Sequence, residues 1–174
     1  MNRVKSTAGR IGLALGAVLL VAVPARASTY PHSTNQPDNA GVSTGTCAES
    51  AALYSVSTDM QSTSKKSFVT VSGTSLSFNQ GTTGCVEVSF SGEVATAPGE
   101  ILLARAVLDG STVCIPGDNL FGSEGTTDNP ADHAMNYICP AVSSGAHTVK
   151  MEFASRFGAK VSLDYRTTIV RYTP

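Results

Sequence analysis

Residues 85–110 read CVEVSFSGEVATAPGEILLARAVLDG, and this stretch decides the fold class. Val86, Val88 and Phe90 alternate with polar residues, which is the period of a strand with one buried face. An Ala-Pro-Gly turn follows, and a second apolar run then ends at an Asp-Gly turn pair. The stretch therefore predicts two strands at the centre of an all-β core.

The rest of the chain extends this pattern on both sides. Short apolar runs bounded by glycine, proline and serine recur, and the run from His147 to Phe153 alternates cleanly. After the first 27 residues no apolar pattern of helical period occurs. About eight or nine short strands at even spacing predict a single domain with an all-β, jelly-roll-like antiparallel β-sandwich fold.

The first 27 residues have the order of a secretory signal peptide. Three basic residues precede an apolar run of 13 residues, and a small-x-small triplet follows that ends at Ala27. A bilayer span needs about 20 residues, so the pattern favours a signal cut after Ala27 over a membrane anchor. Residues 28–46 are rich in turn-forming residues and have almost no large apolar residue. This composition predicts a flexible leader before a β-sandwich domain at 47–174. The expected location is secreted or periplasmic, without membrane insertion after cleavage.

The chain after the predicted cut is acidic. Of 12 basic and 13 acidic residues, only four basic ones precede the cut, which leaves eight basic residues and a net charge of −5. Nucleic-acid binding needs clustered Lys and Arg, so no nucleic-acid partner is expected. The one basic pair, Lys65 and Lys66, follows a serine and is interpreted as solvated surface.

All four cysteines follow the predicted cut, and an even number in an exported chain favours two disulfides. The absence of a Cys-x-x-Cys spacing argues against zinc and thiol-redox chemistry, and no cofactor is expected. Four cysteines permit three pairings. We prefer Cys114 with Cys139 and Cys47 with Cys85, since each bond would tie a loop to a neighbouring strand, and the other pairings stay open.

Four segments occur in the order VEVSFSGEV, AVLDG, GAHTVKMEF and VSLDYRTTIVRY. The series resembles a loose group of small exported bacterial jelly-roll-like β-sandwich proteins, whose members mostly have no assigned function. The resemblance covers residues 68–172, implies the sandwich fold and transfers no catalytic residue. The chain departs from the group in its extra cysteines and in a long segment after Cys114.

That long segment, residues 115–136, is expected to be a loop, and loops of this length often carry function. Its acidic residues include three candidate metal ligands, namely Asp118, Asp128 and Asp132. Carboxylates on a loop suit calcium, which takes about six to eight oxygen ligands. The spacing is not that of a regular calcium loop, and the Asp-Asn and Asn-Pro pairs favour turns, so a structural turn is the preferred interpretation.

Two functional hypotheses follow. The first is a non-enzymatic binding or structural module of the cell exterior, with an extracellular protein or glycan as partner, because no convergent catalytic residues are recognisable. The second is a hydrolase acting on an extracellular polymer through loop 115–136 or His147. His147 is in phase with Val149 and Met151, where a hydrogen-bonded structural histidine is expected. The chain also has no Gly-x-Ser-x-Gly motif to supply a nucleophile.

Carbohydrate binding fits an exported jelly roll, but the aromatic composition weakens it. The chain has no tryptophan, and tyrosines in strands are expected to be packed. Glycosidase chemistry requires two carboxylates on either side of the scissile bond. Glu87 and Glu93 share the outward face of one strand, but about 20 Å separates them along it. They cannot form such a pair with each other.

The strand ILLARAVL, residues 101–108, is apolar at nearly every position. If its even-numbered residues face the core, Ile101, Leu103 and Val107 point outward together with Arg105. Continuous apolar strands usually have both faces covered. The cover is either the long segment of the same chain or a second subunit. In the second case the protein is a homo-oligomer, with Ile101, Leu103 and Val107 as interface candidates.

Overall fold

The computed structural model describes residues 47–123 and 129–174. The predicted signal peptide at 1–27, the leader at 28–46 and the metal candidate Asp128 lie outside the described residues. Within the described part of the chain, no helix is long and apolar enough to cross a membrane.

The described residues form antiparallel strands, numbered here in chain order. They are β1 (Ala51–Ser57), β2 (Gln61–Thr63), β3 (Val69–Thr70), β4 (Leu76–Gln80), β5 (Gly84–Thr96), β6 (Leu102–Leu108), β7 (Thr112–Val113), β8 (Asn119–Gly122), β9 (Ala131–Val142), β10 (Gly145–Ser155) and β11 (Val161–Tyr172).

The strands form two sheets. The first sheet has the order β1-β11-β5-β9, with β2 also paired to β11. The second sheet has the order β3-β10-β6-β7, with β4 paired to β10 and β8 paired to β6. The chain passes from one sheet to the other six times, as in a jelly roll, namely at β2–β3, β4–β5, β5–β6, β8–β9, β9–β10 and β10–β11.

One apolar core lies between the two sheets and confirms the predicted fold class. The predicted alternation is present in β5, where Val86, Val88 and Phe90 are buried. In β6 the inward set is the one expected from the sequence, and its members are Leu102, Ala104, Ala106 and Leu108. Residues of both sheets belong to the same buried cluster, so the described residues form an antiparallel β-sandwich.

The expectation of one long loop over residues 115–136 was wrong. Strand β8 occupies Asn119–Gly122, and β9 begins at Ala131. Strand β8 pairs with β6, where Leu103 lies opposite Leu120. Four residues are too few to show a strand period in sequence, and the pairing with β6 is a tertiary contact that local pattern does not report.

The structure contains two disulfides. Cys47 is bonded to Cys85 with a Cα–Cα distance of 5.3 Å, and Cys114 to Cys139 with a distance of 4.5 Å. These are the pairs preferred from the sequence. Two disulfides suggest an extracellular or periplasmic protein, because such bonds persist mainly in oxidising compartments.

Candidate binding pocket

The structure separates the predicted metal ligands that it describes. Asp118 Oδ1 accepts a hydrogen bond from Arg105 Nη1 at 3.1 Å. Asp132 lies on β9, directly opposite Glu93 of β5. Asp118 is thus paired with a residue of the second sheet, whereas Asp132 lies in the first, and a metal site that includes Asp128 stays a prediction.

One other group of metal-type ligands occurs among the described residues. Cys47, Glu49 and Cys85 place ligand atoms within 4.8 Å of one another. The two sulfur atoms are joined in a disulfide, so they are not available as thiolate ligands.

His147 is hydrogen-bonded at both ring nitrogens. Nδ1 lies 2.7 Å from Asp109 Oδ2, and Nε2 lies 2.9 Å from the carbonyl oxygen of Ser143. The hydrogen bond with Asp109 raises the pKa of His147, although burial acts to lower it. Burial acts to raise the pKa of Asp109, but the hydrogen bonds with His147 and the Thr148 N–H outweigh this effect and hold the pKa below its ordinary value. Two acceptors favour the imidazolium, which leaves no free nitrogen to act as a general base.

The apolar strand β6 is covered within the chain. Ile101 and Val107 are buried, and Leu103 is half-buried beside β8. On the same outward face, the Arg105 guanidinium packs 4.0 Å above the centre of the Phe68 ring. Packing within one chain accounts for the continuous apolar pattern, and a subunit contact at this face stays a prediction.

Strand β5 places Glu93 between two other carboxylates on the outward face of the first sheet. Glu93 lies opposite Asp164 of β11 on one side and opposite Asp132 of β9 on the other. Opposite residues in an antiparallel pair have Cβ atoms about 4.5–5.5 Å apart. The three acidic residues therefore form one row across three strands. The sequence pattern pointed only to Glu87 as a possible partner of Glu93. It could not show this acidic row, because Asp132 and Asp164 lie on strands that are distant from β5 along the chain.

A pocket of about 190 Å³ lies at this row. Its lining combines two carboxylates and a hydroxyl with three apolar side chains, and the residues are Met60, Glu93, Ala95, Pro130, Ser162 and Asp164. The Ser162 hydroxyl is fixed by a 2.8 Å hydrogen bond with the Ser62 hydroxyl. The pocket therefore offers hydrogen-bond acceptors beside an apolar surface.

A β-bulge in β11 exposes an aromatic side chain beside the pocket. The register with β5 shifts between Asp164 and Thr167. Tyr165 has a φ of 42° at this point, and its N–H donates a hydrogen bond to Asp164 Oδ1 at 2.9 Å. Bulges redirect side chains, and the Tyr165 side chain is 60% exposed. The expectation that strand tyrosines are packed holds for buried Tyr137 but not for Tyr165, nor for Tyr54 of β1, which is 75% exposed.

Arg166 is buried beneath the bulge and fixes the segment that carries Met60. Its side chain is 2% exposed. Nη1 donates to the carbonyl oxygens of Asp59 and Leu163, and Nη2 donates to Ser57 Oγ at 3.0 Å. Burial lowers the pKa of the guanidinium, although nearby carboxylates act to raise it. Sequence reasoning missed this positioning residue, because strand arginines are normally solvated.

No protein-family model matches the chain, and no curated protein sequence matches it. Several solved structures are similar in fold. The infectious bursal disease virus VP2 subviral particle aligns with a TM-score of 0.49 and 15% identity, over 71% of this chain and 32% of that one. The chain thus spans about a third of the length of the VP2 chain.

Two carbohydrate-binding modules are also similar. The C-terminal CBM6 of a marine laminarinase from Zobellia galactanivorans aligns with a TM-score of 0.36 and 15% identity, over 68% of this chain and 98% of that one. The CBM6 module of Cellvibrio mixtus lichenase 5A, solved with cellotriose, aligns with a TM-score of 0.37 and 15% identity, over 71% of this chain and 98% of that one.

Proposed function

We propose that this protein is a non-enzymatic binding module of the cell exterior, and that it binds a glycan at the pocket formed by Glu93, Asp164 and Met60. The observation that carries the proposal is the lining of the pocket, with two carboxylates beside an apolar surface. Ligand sites are commonly concave and mostly apolar, with a few polar groups that fix orientation. A sugar matches this lining, because it has hydroxyl donors on its edges and apolar C–H faces.

The charges of the pocket select among glycans. Glu93 lies beside Asp164 and Asp132, so the pocket carries a concentration of negative charge. Carboxylates accept hydrogen bonds but donate none, which favours sugars with free hydroxyl or amino groups. Uronic acids and sulfated sugars would be repelled. Tyr165 adds an exposed aromatic ring beside Asp164, against which a sugar ring can pack.

The hydrolase alternative is less well supported by the geometry. His147 has acceptors at both ring nitrogens, and Asp118 is paired with Arg105. Glu93 and Asp164 are neighbours on one face of a sheet, so both would approach a bound sugar from the same side. Glycosidases place their two carboxylates on either side of the scissile bond.

The proposed location of the module is outside the cytoplasm. The predicted signal peptide and the two disulfides both fit a protein that folds outside the cytoplasm. A glycan-binding module in that location would meet cell-surface or extracellular polysaccharides.

The test is an array of neutral, amino and acidic oligosaccharides, probed with the purified protein and its Glu93→Gln/Asp164→Asn variant. We expect binding to neutral or amino glycans, with a loss of tenfold or more in the variant, since hydrogen bonds to charged groups contribute about 1.5–3 kcal/mol each. Glu87→Gln is the matched control on the same face of β5. Release of reducing sugar from a bound polymer would instead favour the hydrolase, and binding unchanged in the double variant would exclude this pocket.

A further inference from the structure

Four of the basic residues come together at one end of the sandwich. Lys65 and Lys66 follow β2, while Arg156 and Lys160 lie in the turn between β10 and β11. Strand β2 pairs with the beginning of β11, so the two segments run side by side. The sequence shows only the adjacent pair, because the other two residues are distant along the chain. We call these four residues, together with Phe157, the basic end.

Direct contacts hold the two segments together. The Ser155 N–H donates to the carbonyl oxygen of Lys65 at 2.9 Å. A Cβ added to Gly158 would lie 3.1 Å from Lys66 Cε, so the Lys66 side chain packs against the turn. The carbonyl oxygen of Lys160 accepts a 3.0 Å hydrogen bond from the turn after β5. The basic end is therefore a defined surface.

The described loops that carry the three lysines of the basic end contain no exposed carboxylate. The residues of the basic end lie in segments 64–68 and 156–160, and the turn 97–101 is hydrogen-bonded to the second of these. The three segments contain a single acidic residue, Glu100. Glu100 is buried, and its carboxylate accepts hydrogen bonds from three backbone N–H groups. The exposed Lys65, Lys66 and Lys160 thus make the basic end positive, although the chain after the predicted cut is acidic.

Phe157 gives the basic end an apolar tip. Its side chain is 57% exposed, and the Arg156 guanidinium lies 5.3 Å from the centre of its ring. Lys65, Lys66 and Lys160 are also exposed. This surface is the outside of a turn, and none of its residues lines the pocket on the first sheet. An exposed ring beside cations suits a membrane interface, because the bilayer offers an apolar layer for the ring beneath its anionic headgroups, and an anionic polymer offers no such layer.

We propose that the basic end docks the protein onto a membrane surface rich in anionic lipid headgroups. Phe157 would enter the interfacial layer, where aromatic rings are favoured. The lysine amines would reach the phosphates while their methylene chains cover the apolar boundary. Each basic side chain near an anionic leaflet contributes about a fivefold change in partitioning. This contact with the membrane surface would be peripheral and would need no membrane-spanning segment. It would also be independent of glycan binding, because the pocket is lined by other residues.

The test is co-sedimentation of the purified protein with vesicles of 30% phosphatidylglycerol in phosphatidylcholine, and with pure phosphatidylcholine vesicles. We expect partitioning into the anionic vesicles that falls with added salt. Lys65→Gln/Lys66→Gln should weaken it about 25-fold, and Phe157→Ser about tenfold. The matched control is Lys150→Gln, a charge change on β10 outside the basic end, which should bind like the wild type. Because Lys65, Lys66 and Phe157 are exposed, circular dichroism should show unchanged folding.

Three outcomes would overturn the proposal. They are absence of binding to the anionic vesicles, equal binding to both kinds of vesicle, and an equal loss in Lys150→Gln and the double lysine variant. Retention on a dextran sulfate column without vesicle binding would assign the surface to an anionic polymer, and this result also contradicts a membrane contact.

Discussion

Glu100→Gln tests whether one buried carboxylate organises the turn that carries the basic end. Glu100 is 2% exposed. Its Oε1 accepts hydrogen bonds from the N–H groups of Ile101 and Phe157, each at 2.9 Å, and its Oε2 accepts one from Ala159 at 2.6 Å. Glutamine has nearly the same shape, but its NH₂ group would face a backbone donor at one of these positions.

The magnitude follows from these contacts. Hydrogen bonds to a charged group contribute about 1.5–3 kcal/mol each, and a buried donor left without an acceptor costs about 1–3 kcal/mol. The glutamine variant removes the charge and leaves one N–H unpaired, while two hydrogen bonds persist in neutral form. We expect the free energy of unfolding at pH 7 to fall by about 3 kcal/mol.

The pH dependence has a definite sign. Burial acts to raise the pKa of Glu100, but the backbone hydrogen bonds and the Ser155 hydroxyl lower it below its ordinary value. A carboxyl group with a lowered pKa in the folded state stabilises the protein above its unfolded-state pKa, about 4.3. This stability is lost as the pH falls through the folded-state pKa. The difference between wild type and Glu100→Gln should therefore shrink below about pH 4.

The assay is urea unfolding followed by circular dichroism, at several pH values from 7 to 3. Asp132→Asn serves as the control, because Asp132 is exposed and its substitution should change the unfolding free energy by less than about 0.5 kcal/mol. An unfolding free energy of Glu100→Gln equal to that of the wild type at pH 7 would refute the reasoning. So would a difference that stays constant as the pH falls.

Three further substitutions test the packing. Arg166→Met should lower the unfolding free energy by about 3 kcal/mol, because it leaves buried carbonyl groups without donors. The control Arg171→Met, on the surface, should lower it by less than about 1 kcal/mol. Equal losses of the two variants in urea unfolding would contradict this. The double variant Cys114→Ala/Cys139→Ala removes a disulfide that closes a loop with a sequence separation of 25. Calorimetry should show a loss of about 3 kcal/mol in the unfolding free energy, and an unchanged melting temperature would contradict this prediction. Leu103→Asp should destabilise the protein by about 2 kcal/mol without changing its sedimentation mass, and a reduced mass would instead support a subunit contact at β6.

The elements that followed from the sequence are those whose signal is local. The alternation of Val86, Val88 and Phe90 gave the inward face of β5, because side chains alternate between faces along a strand. The even-numbered residues of β6 were placed correctly for the same reason. The disulfide pairs also followed the expectation that a cystine ties a loop to a neighbouring strand.

The pocket did not follow from the sequence, because it depends on register between distant strands. Glu93, Asp132 and Asp164 meet only when three strands pair with one particular alignment, and a shift of one residue would turn each side chain to the other face. The bulge that exposes Tyr165 is likewise invisible to a period-two pattern. The basic end was missed for a related reason, since Lys65 and Lys160 become neighbours only through the pairing of β2 with β11.

The central claim is that the pocket on the first sheet binds a glycan, and NMR titration tests it most directly. A ¹⁵N-labelled sample would be titrated with the oligosaccharide that binds best on the array. We predict that the largest amide shifts occur at Glu93, Ser162, Asp164 and Tyr165, and that Glu93→Gln/Asp164→Asn weakens binding at least tenfold. Shifts confined to the second sheet or to the basic end, with the pocket residues unmoved, would contradict the account.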